Sequence, residues 1–250
     1  MDYRIADFLL RTEGRHSDIA ACGLLCFKPF EVEANPSVEP TMLLRMDCNM
    51  EAIANSISKV IHTFEFEQNY AIGRLARYSD GYCFQMEREG KTILLAKRDG
   101  SNIVESNLGC CEEPDLSFVR FGIWIMFGIT LAPLGAIAIH SSVVVKDGGA
   151  VLCLGESGTG KSTHTRLWRE NIEGARLLND DSPIIRMIDD RCVVYGSPWS
   201  GKTACFVNKC VPASSVQQNT PFACPYGNRC NSAFMSASSC IRQRFAGPYL

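Results

Sequence analysis

The sequence predicts an α/β protein, a phosphate-loop nucleotide-binding core preceded by a smaller β-rich N-terminal region. Three observations carry this expectation. An apolar run, Val151–Leu154, leads straight into the glycine-rich stretch Gly155–Ser162 and then a polar segment of helical character. A second apolar run ends in the adjacent carboxylates Asp180 and Asp181. Upstream of about residue 114, short alternating runs are separated by tight-turn residues.

In the first region the runs are Gly23–Phe27, Met42–Met46, Tyr82–Met86, Thr92–Ala96 and Asn102–Glu105, with Gly90 and Asp99-Gly100 as turns. They read as a β-meander with a helix around Met50 to Ile61. No phosphate loop, metal spacing or nucleophile elbow occurs there, so residues 1–114 read as structural or partner-binding. From Asp115 the pattern changes. Phe121 to Ile139 is 19 residues without a charge, close to a membrane span in length. The strand and phosphate loop that follow favour a buried helix (about Asp115 to Leu131), a turn at Pro133–Gly135 and a buried strand. Next come a strand from His140 to Val145, the turn Asp147-Gly148-Gly149, and the strand that feeds the loop. A helix from Lys161 to about Glu170 follows, then a strand Ala175–Leu178 ending in Asn179-Asp180-Asp181. A hairpin pairs Ile184–Ile188 with Cys192–Tyr195 across Asp189-Asp190. This places a core domain at residues 115–210.

Residues 211–250 break the composition, with three arginines and no Asp, Glu or Lys. They read either as a poorly ordered polar tail or as a segment outside the selected fold. A shift or truncation of the coding frame near position 210 would produce the latter.

Composition excludes several function classes. The chain has 250 residues, 25 basic against 27 acidic side chains and a net charge of -2. That balance argues against a nucleic-acid binder and a polybasic membrane-surface protein. The 13 cysteines contain no CxxC pair and no histidine at ligand spacing, which gives a zinc site little support. The N-terminus has no basic stretch followed by an apolar run, so it is not read as a secretory signal. The expectation is a cytoplasmic protein with reduced thiols.

The chemistry resides in Gly155-Glu156-Ser157-Gly158-Thr159-Gly160-Lys161-Ser162, which matches G-x-x-x-x-G-K-[ST]. Glycines let such a loop fold into a nest of inward N–H groups, and the following helix adds its positive end. Lys161 can bridge the outer phosphates and Ser162 can reach Mg²⁺. Asp180 and Asp181, about twenty residues on, can divide metal holding and proton acceptance between them. His140, one strand before the loop, and His164 and Thr165, early in its helix, are further candidates. So is the loop Gly196–Thr203, whose Lys202 could meet an anionic group.

Together these residues resemble the HPr kinase/phosphorylase and ATP-dependent phosphoenolpyruvate carboxykinase superfamily over residues 136 to 203. The resemblance rests on His140, the loop Gly155–Thr163 and the acidic pair of LLNDD. The run KSTHTRLW with the later YGSPWSGKT is similar to a less-characterised bacterial branch of HPr-kinase-like proteins. The resemblance implies a carboxykinase-like core using ATP and Mg²⁺. It makes Asp180 the general base, Asp181 and Ser162 the metal ligands, and Lys161 the phosphate clamp, with His140 supporting the reacting group. It also implies self-association and phosphoryl transfer to a hydroxyl of a protein serine or a small molecule. The chain departs from HPr kinases at Thr163, where they carry Glu, and its tail lacks their basic C-terminal segment. The arginine motifs of the longer carboxykinases are not evident, which argues against carboxylation chemistry. A non-catalytic ATP sensor or scaffold is the alternative.

Overall fold

A computed structural model describes residues 1–66, 71–110, 112, 115–201 and 203–218. The chain divides into two compact units, Met1–Ala136 and Ile137–Leu250.

The first unit is built on a sheet of nine strands among the described residues. In chain order they are β1 (Asp2–Ile5), β2 (Phe8–Glu13), β3 (Glu31–Val32), β4 (Met42–Arg45), β5 (Ile57–Phe66), β6 (Ala71–Tyr78), β7 (Gly81–Arg88), β8 (Lys91–Arg98) and β9 (Ile103–Ser106). Their spatial order is β3-β1-β2-β4-β9-β8-β7-β6-β5. Strands β5 to β9 form an antiparallel meander that includes the expected runs at β7, β8 and β9, with two-residue turns joining β6 to β7 and β7 to β8. The pairs β2–β4 and β4–β9 are parallel. Two local expectations fail. Gly23–Phe27 is not a strand but leads into a 3₁₀ turn, Leu25–Phe30, that buries Cys26, Phe27 and Phe30. The helix expected at Met50–Ile61 shortens to α1 (Glu51–Asn55), because the β-branched run Ile57, Val60, Ile61 and Thr63 enters β5.

Helix α2 (Leu116–Leu131) begins where expected. The Asp115 carboxylate caps it, accepting from the N–H groups of Ser117 at 3.0 Å and Phe118 at 3.4 Å, and pairs with Arg88. The helix packs on β7 and β8. Gly122 permits the approach, since a Cβ there would stand 2.7 Å from a Leu95 methyl. Phe121 packs edgewise on Phe64 and Phe66 and at a tilt on Phe84, with centroids 5.0 to 5.6 Å away. The segment Leu116–Leu134 is the one described helix long and apolar enough to cross a membrane, yet eight residues of α2 are buried within the unit. Because α2 belongs to the N-terminal sheet, the units divide at 136/137 rather than at 114/115.

Among the described residues the second sheet has seven strands: β10 (Ala136–Ala138), β11 (Ser141–Lys146), β12 (Gly149–Leu154), β13 (Arg176–Asp181), β14 (Ile184–Ile188), β15 (Arg191–Tyr195) and β16 (Cys210–Gln218). Their order is β10-β14-β15-β16-β12-β11-β13. Helix α3 (Lys161–Asn171) lies against β11, β12 and β13. Side chains alternate across the sheet. Val143, Ala150, Leu152, Leu178, Ile185 and Val194 form one apolar cluster, while Ser142 meets α3 on the other side through Thr165.

The expected carboxykinase-like α/β core with a small β-rich preface is therefore incorrect. The described chain is 45% strand against 21% helix, in two mixed sheets, and the N-terminal unit is the longer one. The reason lies in the connections. Tight turns at Asp147-Gly148 and at Asp189-Asp190, where both aspartates have positive φ, fold their strands back as antiparallel hairpins. An α/β core would need helical crossovers instead. The composition break near 210 also falls inside the fold. Strand β16 pairs parallel with β12 and antiparallel with β15, and Val211, Ala213 and Val216 pack on the core. Residues 219–250, the rest of the atypical tail, lie outside the described residues.

The nine described cysteines are free thiols, and burial pushes Cys83 and Cys153 up to about 11. The buried ones, Cys26, Cys83 and Cys153, serve as small apolar residues.

Candidate functional site

Strand β12 delivers the loop as expected. Gly160 adopts a left-handed conformation (φ +89°) and starts α3 without any side-chain cap. The first intrahelical bond is His164 N–H to Gly160 O at 2.8 Å. The N–H groups of Lys161, Ser162 and Thr163 thus precede the helical ladder, which leaves the anion-attracting end of the helix to the loop. Lys161 is buried. Its ammonium donates to Gly155 O at 2.9 Å and Glu156 O at 2.8 Å, so the loop carbonyls hold the charge over their own concavity. Two of its three N–H bonds are used there, which leaves one for a phosphate oxygen. Thr159 Oγ1 donates to Glu156 O at 2.8 Å and tightens the turn. Ser162 and Thr163 are exposed.

The acidic pair stands at the same end of the sheet. Leu154, Ser141 and Asp181 lie in register across β12, β11 and β13. Two strand spacings put the Asp181 backbone about 10 Å from the loop entrance. The two carboxylates differ sharply. Asp180 is 5% exposed and occupies the α3 side. Its Oδ1 accepts from Ser142 Oγ at 2.7 Å and its Oδ2 from Thr203 N–H at 3.2 Å. Ser142 Oγ is in turn 2.8 Å from Thr165 Oγ1 on α3. The single Ser142 proton goes to the carboxylate, so Thr165 donates to Ser142 and a directed relay joins helix to acid. Asp181 has a side chain 43% exposed, with His140 Nε2 at 3.6 Å and Ser182 Oγ donating at 3.0 Å. Asn179, fully buried, accepts from the N–H groups of Asp181 and Ser182 at 3.0 and 2.9 Å and turns the chain there.

The loop after β15 is a brace more than a displayed surface. Ser197, Trp199 and Ser200 are buried. Ser197 Oγ donates to Ser182 O at 2.6 Å, and Gly201 N–H donates to Asp180 O at 3.1 Å. Lys202 lies outside the described residues. His164 sits half-buried on the outer side of α3, apart from the relay that engages Thr165.

Sequence reasoning missed Ser142, Asn179 and Thr203, which hold Asp180 and shape the strand end. The available signal was Ser141-Ser142, a polar pair heading an otherwise apolar strand. Ser141 Oγ is buried without a hydrogen-bond partner among the described residues, between the loop entrance and Asp181. Such a hydroxyl calls for a water or ligand atom.

Among the described residues no group of three or more His, Cys, Asp and Glu converges as a metal cage. A magnesium ion needs none. It takes one or two protein oxygens and completes its shell with phosphates and water, and the exposed Ser162 hydroxyl and Asp181 carboxylate fit that donor set. Comparison with known proteins found no matching family and no matching curated protein.

Proposed function

We propose that this chain is an ATP- and Mg²⁺-dependent phosphotransferase that moves a γ-phosphoryl group to a hydroxyl of a protein serine or a small molecule. The observation that carries the reading is the uncapped start of α3 with Lys161 folded into its loop, facing the same sheet end as an exposed carboxylate–imidazole pair. The loop amides and Lys161 hold the β- and γ-phosphates and neutralise charge that grows on the bridging oxygen as its bond to the γ-phosphorus breaks. Mg²⁺ would be held by the Ser162 hydroxyl, with Asp181 reaching it through a bound water, and would supply charge neutralisation of the phosphates.

Burial and accessibility move the role of base from Asp180 to Asp181. A base must meet its substrate, and Asp181 is the accessible carboxylate, with His140 beside it. Asp181 takes the acceptor proton as the new O–P bond forms, and ADP leaves with the electron pair of the broken bond. Asp180 orients the strand end, anchored to α3 through Ser142 and Thr165. Use of ATP sets the protein in the cytoplasm.

The test is incubation with γ-labelled ATP and Mg²⁺ in a lysate of the source cell, alongside calorimetric ATP binding. Lys161→Ala loses binding. Asp181→Asn keeps binding and loses labelled product. Binding without transfer in the wild type gives the sensor reading instead, and equal loss of binding in both variants overturns the assigned roles.

A further inference from the structure

Helix α3 buries only Lys161 and Thr165 against its sheet. On another side it carries His164, Leu167 and Trp168, at the i, i+3, i+4 spacing of a single stripe. Leu167 is 49% exposed, on a helix that is otherwise polar. With Gly160, Thr163, Asn171 and Ile172 these residues line a shallow, open groove along one side of α3, beginning at the loop. The rings of His164 and Trp168 follow one another with centroids 6.4 Å apart and planes tilted by 36°.

We propose that this groove takes the nucleoside end of the nucleotide, its base stacked on Trp168. The inference rests on the phosphotransferase reading above and adds where the rest of the ligand goes. Continuity commits the groove to this occupant. Gly160 and Thr163 belong both to the phosphate loop and to the groove wall. A polyphosphate chain gripped by the loop amides and Lys161 leaves along the first turn of α3. From Thr163 to Asn171 the helix rises about 12 Å, room for a sugar and a base. An indole face suits this task because every base has a π-face, so stacking contributes affinity without demanding one base. Asn171 stands at the far end, with Nδ2 donating to Leu167 O at 2.8 Å.

The test is calorimetric titration of the full chain with ATP and, separately, with inorganic tripolyphosphate, both with Mg²⁺. Trp168→Ala weakens ATP binding about tenfold to a hundredfold and leaves tripolyphosphate within about twofold. Trp168→Phe restores most of the ATP affinity. Leu167→Ser, at an exposed position, weakens ATP about threefold and spares tripolyphosphate, which guards against a folding defect in Trp168→Ala. Equal effects on the two ligands, or none on either, overturn the proposal, and the groove is then left to an acceptor or another chain. Wild-type protein that binds neither ligand refutes the phosphotransferase reading and this inference with it, whereas binding of tripolyphosphate with Trp168→Ala unchanged for ATP refutes this inference alone.

Discussion

Ser142→Ala is the sharpest probe of how the acidic strand end is held. The hydroxyl donates to buried Asp180 at 2.7 Å and receives Thr165 Oγ1 at 2.8 Å. Alanine removes one hydrogen bond to a charged group, about 1.5–3 kcal/mol, and one neutral bond, about 0.5–1.5 kcal/mol. Asp180 keeps only the Thr203 N–H, at 3.2 Å. Thr165 can fall back on the Ser162 and Lys161 carbonyls at 3.2 and 3.4 Å, which recovers part of the neutral bond. The expected loss is about 2–4 kcal/mol for the second unit. Hydrogen exchange followed by mass spectrometry reads it directly. Peptides from β11 and α3 should exchange about thirtyfold to several hundredfold faster, at tenfold per 1.4 kcal/mol. Peptides from β6 to β8 in the first unit serve as the internal reference. Thr165→Val removes only the neutral bond and should cost about 1 kcal/mol. The double variant should fall short of the sum, because both changes cut one chain. Protection in β11 and α3 that moves less than threefold in Ser142→Ala would show that the relay contributes nothing.

Two further outcomes concern the first unit. Asp2 is buried and receives Arg11 Nε at 2.8 Å and Nη2 at 2.7 Å, and that hydrogen-bonded guanidinium holds its carboxyl below the usual carboxylate range. A lowered native pKa means the pair stabilises fully above the unfolded pKa near 4 and loses its contribution as pH falls through the native value. Asp2→Asn should therefore lower the urea midpoint at pH 7 and differ less from wild type at pH 3; an equal difference at both pH values would contradict the pairing. Gly122→Ala places a methyl 2.7 Å from a Leu95 methyl carbon, so the helix or the leucine must move, at a cost of about 1–3 kcal/mol. Differential scanning calorimetry should show a fall in Tm, largely recovered by Leu95→Val in the double variant, and an unchanged Tm would refute the close-packing account.

Much of the local structure was legible residue by residue. The start of α2 near Asp115, the Asp-Gly turns and the paired aspartates at a hairpin tip each depend on a few residues, and all stand where expected. The glycine-rich turn between β12 and α3 was legible for the same reason: its geometry depends on consecutive backbone groups and one lysine. The misreadings came from long-range partners. Phe27 and Cys26 are apolar enough for a strand, but they are buried in a 3₁₀ turn that contains Pro29. Helix α2 is followed directly by residues of the second unit, but Gly122 and Phe121 fit the surface made by β7, β8 and the aromatic side chains beside them. The unequal aspartates were invisible as well. Adjacent residues of a strand point to opposite faces, so identical side chains meet different surroundings: hydroxyl and amide donors for Asp180, solvent and His140 for Asp181.

By itself, then, the amino-acid order determined most elements of the second unit and the glycine-rich turn that starts α3, because those depend on short-range backbone geometry. Only the tertiary structure decided that the sheets are mixed, that the chain beyond position 210 supplies an interior strand, and which aspartate reaches solvent. Each of those is set by which distant strand supplies the neighbouring hydrogen bonds, and no local pattern encodes that choice.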